Sequence, residues 1–94
     1  MEVFLNGDWI PEEQAQVSAF DRGFLYGDGV FETIRIHQGH PFLLERHLGR
    51  LAHGLSGLHI EDPFSFDEWT DHCRELIARN KVSDGILRLY ITRG

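Results

Sequence analysis

Between residues 29 and 37 apolar and polar side chains alternate. Val30, Glu32, Ile34 and Ile36 fall on one face of an extended chain, and Phe31, Thr33, Arg35 and His37 fall on the other. The spacing predicts a long strand over 29–37. It is entered through Tyr26-Gly27-Asp28-Gly29, where two glycines permit a tight turn or a close backbone approach. A Gln38-Gly39 turn then pairs it with a second strand at 41–44. Upstream, Val3-Phe4-Leu5 and Asp8-Trp9-Ile10 flank Asn6-Gly7, a dipeptide that tolerates the positive φ angles of a two-residue hairpin turn. Residues 14–27 read as an irregular connection with a short turn around Asp21-Arg22-Gly23.

After residue 44 the period changes. Leu44, Leu48, Leu51 and Leu55 recur at helical spacing and predict a helix over about 45–56, with Gly57 as its C-terminal cap. A second helix, about 66–80, is announced by Ser65 with Glu68 three positions on, the pattern of a capping box. Phe66, Trp69, Cys73, Leu76 and Ile77 form its apolar stripe, while Arg74, Glu75 and Arg79 face water. The Ser83-Asp84-Gly85 turn leads into a last strand at 86–92. Two helices laid on one face of a mainly antiparallel sheet make an α+β domain. Its 94 residues form a single small domain without linker, repeat or low-complexity segment.

Composition narrows the function classes. An apolar share of 41% and a charged share of 26% are those of an ordinary globular protein. No apolar run approaches the roughly 20 residues that span a bilayer, and the start shows no signal-peptide pattern, so the expected location is cytoplasmic without a membrane partner. A net charge of −6 argues against nucleic acid as a partner. The single cysteine, Cys73, excludes an internal disulfide and suits packing. Six histidines contain no helical pair at metal-ligating spacing, so no metal site is expected.

Chemistry concentrates on arginines. On the helical wheel Arg50 lies roughly 120° from the centre of the leucine stripe, at its flank. From there a guanidinium can reach over a domain edge and grip a phosphate through two oxygens, or stay solvated. On the last strand Arg88 shares a face with Ile86, Tyr90 and Thr92. If that strand pairs near 29–37, Arg35 and Arg88 sit among hydroxyls and aromatic rings, an arrangement suited to a carboxylate ligand. Otherwise they are independent surface arginines bound to acidic neighbours. Glu32 points away from Phe31 and reads as a salt-bridge partner for one of the arginines.

Taken in order, Ser18-Ala19-Phe20-Asp21-Arg22-Gly23-Phe24-Leu25, the glycine-flanked strand, Glu45-Arg46-His47-Leu48-Gly49-Arg50-Leu51 and Leu87-Arg88-Leu89-Tyr90-Ile91-Thr92-Arg93-Gly94 resemble the N-terminal domain of class IV (fold type IV) pyridoxal-phosphate enzymes. That family includes branched-chain aminotransferases, D-amino acid transaminases and aminodeoxychorismate lyase. The resemblance implies that Arg50, in a His-x-x-Arg-Leu pattern, binds the phosphate of pyridoxal 5′-phosphate. It implies that Tyr26, Phe31, Arg35 and Arg88 line the substrate side, with an amino acid and a 2-oxo acid as substrates and a homodimer as the assembly. Tyr-Gly-x-x-Val-Phe-Glu-x-Ile-Arg favours the branched-chain type, whereas Asp-Arg-Gly and Thr-Arg-Gly pull toward D-amino acid transaminase or the lyase. In that family the Schiff-base lysine and most of the cofactor cradle belong to a larger C-terminal domain. The only lysine here, Lys81, falls just past the second helix, where a cation complements the helix end. The expectation is therefore a fragment, domain or truncated gene product without a catalytic residue of its own and inactive alone. A non-catalytic dimerisation module is the other reading.

Overall fold

The structure, a computed structural model, describes residues 1–94. Its first element is a hairpin, β1 (Glu2–Leu5) against β2 (Asp8–Pro11). Asn6 and Gly7 take φ of 52° and 89°, the left-handed pair that a two-residue turn of this kind requires. Beyond it, the stretch expected to be irregular contains a short helix, α1 (Arg22–Tyr26). Asp21 starts α1 by accepting a hydrogen bond from the Gly23 amide, and Gly27 at φ 67° ends it.

The long strand is β3 (Gly29–His37), with the predicted alternation: Glu32, Ile34 and Ile36 are buried, and Phe31, Thr33, Arg35 and His37 are exposed. Its hairpin partner is shorter than expected. The strand β4 is only His40–Pro41, because Leu43 adopts φ 56° and turns the chain out of the extended conformation. Leu44, read as the end of that strand, is instead the first residue of α2 (Leu44–Leu58) and buries its side chain in the core. The other end of α2 also departs from the sequence pattern. Gly57 lies within the last turn, and His59, at φ 57°, takes the left-handed capping position.

The helix α3 (Phe66–Asn80) has the predicted bounds and the complete capping box between Ser65 and Glu68. Its stripe is narrower than expected. Trp69, Cys73 and Ile77 are buried, Leu76 is half-buried, and Phe66 is 48% exposed. The room is taken by Phe64 from the preceding loop, packed edge-on to Trp69 with ring centroids 5.0 Å apart, while Asp62 accepts the Trp69 Nε1 hydrogen bond. Nor does Arg79 simply face water: its guanidinium lies 4.3 Å from the Trp9 ring and bonds Glu2 and Glu75.

The strand β5 (Gly85–Thr92) pairs antiparallel with β3 along its whole length, giving the order β4-β3-β5 beside the separate hairpin. The two longer helices cover one face of this sheet. A core of Ile34, Ile36, Leu87 and Leu89 from the strands meets the four leucines of α2 and the three buried residues of α3. The α+β architecture with antiparallel sheets is as expected. Lys81 ends α3 in a left-handed conformation, with its amide bonded to the last carbonyls.

Candidate functional site

Two strips of β3 carry the candidate residues, one on each face. On the inner face Glu32 occupies a position between Val30 and Ile34 and is 4% exposed. Such a carboxylate needs donors, and α2 supplies two from positions three residues apart, hence on one side of the helix. His47 Nδ1 lies 2.8 Å from Glu32 Oε1 and, against a carboxylate, carries the proton it donates. Arg50 Nε donates to both carboxylate oxygens, at 3.1 and 3.0 Å. Burial by itself would push the Glu32 carboxyl up. The hydrogen bonds and charges of Arg50 and His47 outweigh it and hold the group below its ordinary value.

The rest of the Arg50 guanidinium has no protein partner. Its side chain is 73% exposed, and neither terminal nitrogen makes a hydrogen bond within the chain. An arginine held at Nε with both ends free can give two parallel N–H bonds to an oxyanion.

The outer face of β3 and β5 carries the other candidates. Phe31 stands opposite Tyr90, with ring centroids 5.7 Å apart, Thr33 opposite Arg88, and Arg35 opposite Ile86. Arg35 and Arg88 are thus diagonal neighbours on one exposed surface. The alternative of two arginines each tied to an acidic neighbour is not what the structure shows, because neither guanidinium forms a salt bridge. Tyr26, at the end of α1, is 77% exposed. Arg50 is not on this surface. It stands on the helix side of β3; β4 pairs only with Ile36 and His37, so from Gly29 to Ile34 one edge of β3 has no strand beside it.

Other features resolve as structural. Arg93 gives Nε and Nη2 to Asp28 at 2.7 and 3.2 Å and a further bond to the Leu58 carbonyl at 2.8 Å, fastening the ends of β5 and α2 to the start of β3. The Asp28 carboxyl is held low by that bonding. Burial pushes the Cys73 thiol up to about 11, in keeping with a packing role. A cavity of about 790 Å³ opens between the β1–β2 hairpin, α3 and β5, and of the predicted residues only Arg88 lines it. Two participants escaped the residue-by-residue reading. His47 was visible only as part of a motif, and Tyr90 only as a neighbour of Arg88.

Fold and site together give an α+β structure that carries one guanidinium anchored through Nε on the helix side of β3 and an arginine-bearing aromatic surface on the other. The amino-transferase class IV family model matches residues 29–94, and the chain belongs to that family. It is 43% identical over 94 residues to a Methanocaldococcus jannaschii protein named "Putative branched-chain-amino-acid aminotransferase", covering all of this chain and 33% of that one. Against the aminodeoxychorismate lyase of Bacillus subtilis it is 42% identical over 89 residues, covering 95% of this chain and 30% of the lyase. Among solved structures it resembles a hypothetical aminotransferase from Mycobacterium tuberculosis in its PLP-bound form, with a TM-score of 0.86 at 30% identity, covering 100% of this chain and 34% of that one. The chain spans about a third of the length of the curated relatives it matches.

Proposed function

We propose that this chain forms the small domain of a pyridoxal-phosphate-dependent class IV aminotransferase that moves an amino group between an amino acid, branched-chain type favoured, and a 2-oxo acid. The carrying observation is Arg50, fixed through Nε with both terminal nitrogens free for a phosphate. When bound, the cofactor supplies the electron-withdrawing ring that lets an amino group change partners. Arg50 holds its phosphate. Arg35 and Arg88, unpaired on the outer face, take the substrate carboxylate, and Phe31 and Tyr26 give that side its apolar walls. No residue of this chain is assigned a catalytic role, since Lys81 caps α3. The reactive amine belongs to a C-terminal domain of the whole protein, a reading supported by relatives about three times as long. The whole protein works as a cytoplasmic homodimer.

The similarity to a lyase, with the Asp21-Arg22-Gly23 and Thr92-Arg93-Gly94 runs, favours a second reading: aminodeoxychorismate lyase or D-amino acid transaminase. Assays of the whole gene product with L-leucine, D-alanine and aminodeoxychorismate separate these. Leucine-dependent glutamate formation from 2-oxoglutarate is expected. Pyruvate release from aminodeoxychorismate alone, or turnover of D-alanine alone, selects the second reading. Arg50→Ala should weaken cofactor binding by about a hundredfold or more, the loss expected for two charge-assisted hydrogen bonds. An unchanged affinity would remove Arg50 from the cofactor site.

A further inference from the structure

An arginine bound to a carboxylate on a protein surface ordinarily points its fork at that carboxylate, and the pair then has nothing left to offer. The pair formed by Arg50 and Glu32 is arranged otherwise. Both Glu32 oxygens converge on one nitrogen, Nε, and leave both terminal nitrogens outward. The carboxylate sits on the core face of β3 with its side chain 5% exposed, whereas the arginine is 73% exposed. The anchor is therefore rigid and dry, and the part that faces solvent is the donor pair. His47, 23% exposed, closes the remaining side of Glu32 from one helical turn earlier. A buried carboxylate is costly to keep ionised, and an apolar residue would continue the β3 core stripe at lower cost. Its presence calls for a role beyond packing.

We propose that Glu32 and His47 are positioning residues for an oxyanion site at Arg50: Glu32 fixes the guanidinium plane through Nε, and His47 fixes Glu32. The inference rests on reading Arg50 as an anion grip and adds to it the two residues that set its geometry. Without them Arg50 is a long, freely rotating side chain that must be ordered by each anion it meets. The ligand chemistry is a phosphate monoester or another tetrahedral oxyanion. A flat carboxylate also pairs with a guanidinium, but the chain already offers Arg35 and Arg88 for that.

The test uses the 94-residue chain, labelled for arginine side-chain NMR and titrated with inorganic phosphate. The wild-type chain should show an Arg50 Nε–H resonance protected from solvent exchange, and phosphate should shift the Arg50 signals saturably. Arg50→Ala should abolish the phosphate response. Glu32→Gln and His47→Leu should lose the protection of Nε–H and weaken phosphate binding about tenfold, the size of a lost charge-assisted hydrogen bond. Asn at position 47 presents a donor close to that of His Nδ1, so His47→Asn should restore both protection and affinity where His47→Leu does not. His47 is on the flank of α2, so these two variants read the proposal even if Glu32→Gln unfolds the chain. Equal phosphate affinity in wild type, Glu32→Gln and His47→Leu, with Arg50→Ala inactive, overturns the positioning role and leaves the grip intact. A wild-type chain whose Arg50 signals ignore phosphate overturns the grip itself.

Discussion

Glu32 is the one polar side chain among the buried residues, and its titration follows from its neighbours. Burial raises its pKa, but the donors Arg50 and His47 lower it further, so the native group titrates below its ordinary value of 4.5. A carboxyl depressed in the native state contributes stability that is fully present above the unfolded value. That contribution is lost as pH falls through the native value. The melting temperature of the wild-type chain should therefore drop from about pH 5 downward. Glu32→Gln, which removes the titrating group, should flatten that acid limb relative to its own value at pH 7. Parallel melting curves for the two proteins across that range would show that the cluster makes no net contribution. The face of Glu32 was legible from alternation. Its partners were not, because a strand pattern says which way a side chain points and not which helix flank it meets.

At the scale of elements, legibility followed the strength of the local signal. The Asn6-Gly7 turn and the Ser65/Glu68 capping box are short-range hydrogen-bonding devices, and both stand where the spacing put them. The ends of α2 were missed because Leu43 and His59 adopt left-handed conformations for which their side chains give no warning. Glycine identity misled at Gly57. It has nothing within 4 Å of where a Cβ would stand, so in the last turn of α2 it only carries excess unfolded-state entropy. Gly29 is the opposite case. A Cβ there would be driven into the carbonyl oxygen of Ile91 and to 3.0 Å from Thr92 Cα, both backbone atoms of the paired strand. Gly29→Ala should destabilise the chain by about 1–3 kcal/mol, as overpacking does. Gly57→Ala should stabilise it by about 0.5–1 kcal/mol. Urea unfolding of both variants checks the pair, and a neutral Gly29→Ala would mean that β5 is not held against β3 at that point.

For the molecule as a whole, the sequence shows the class of each face but not how the faces sit together. Periodicity put Phe31 with Arg35 on one strand and Arg88 with Tyr90 on another, and a shared surface was conditional on their pairing; the pairing of β3 with β5 turns the two alternations into one patch. Periodicity could not show that Arg50 belongs to the opposite side of β3, bonded to Glu32. Exposed aromatic rings set how the chain behaves in solution. Phe20, Phe24, Tyr26, Phe31 and Tyr90 are each at least 60% exposed, an apolar load that an isolated domain does not ordinarily leave uncovered. Opposing association is the net charge of −6, which makes copies of the chain repel one another at long range. Contact between apolar surfaces is short-range and insensitive to screening, whereas the repulsion fades once the Debye length falls from about 10 Å at 0.1 M salt to about 3 Å at 1 M. Sedimentation of the purified chain should therefore show self-association that grows with concentration and strengthens on adding sodium chloride. Replacing Phe31 and Tyr90 together by Ser should weaken it. Association that instead dissolves in high salt would assign the contact to ion pairs, with Arg35 and Arg88 as the first residues to reverse.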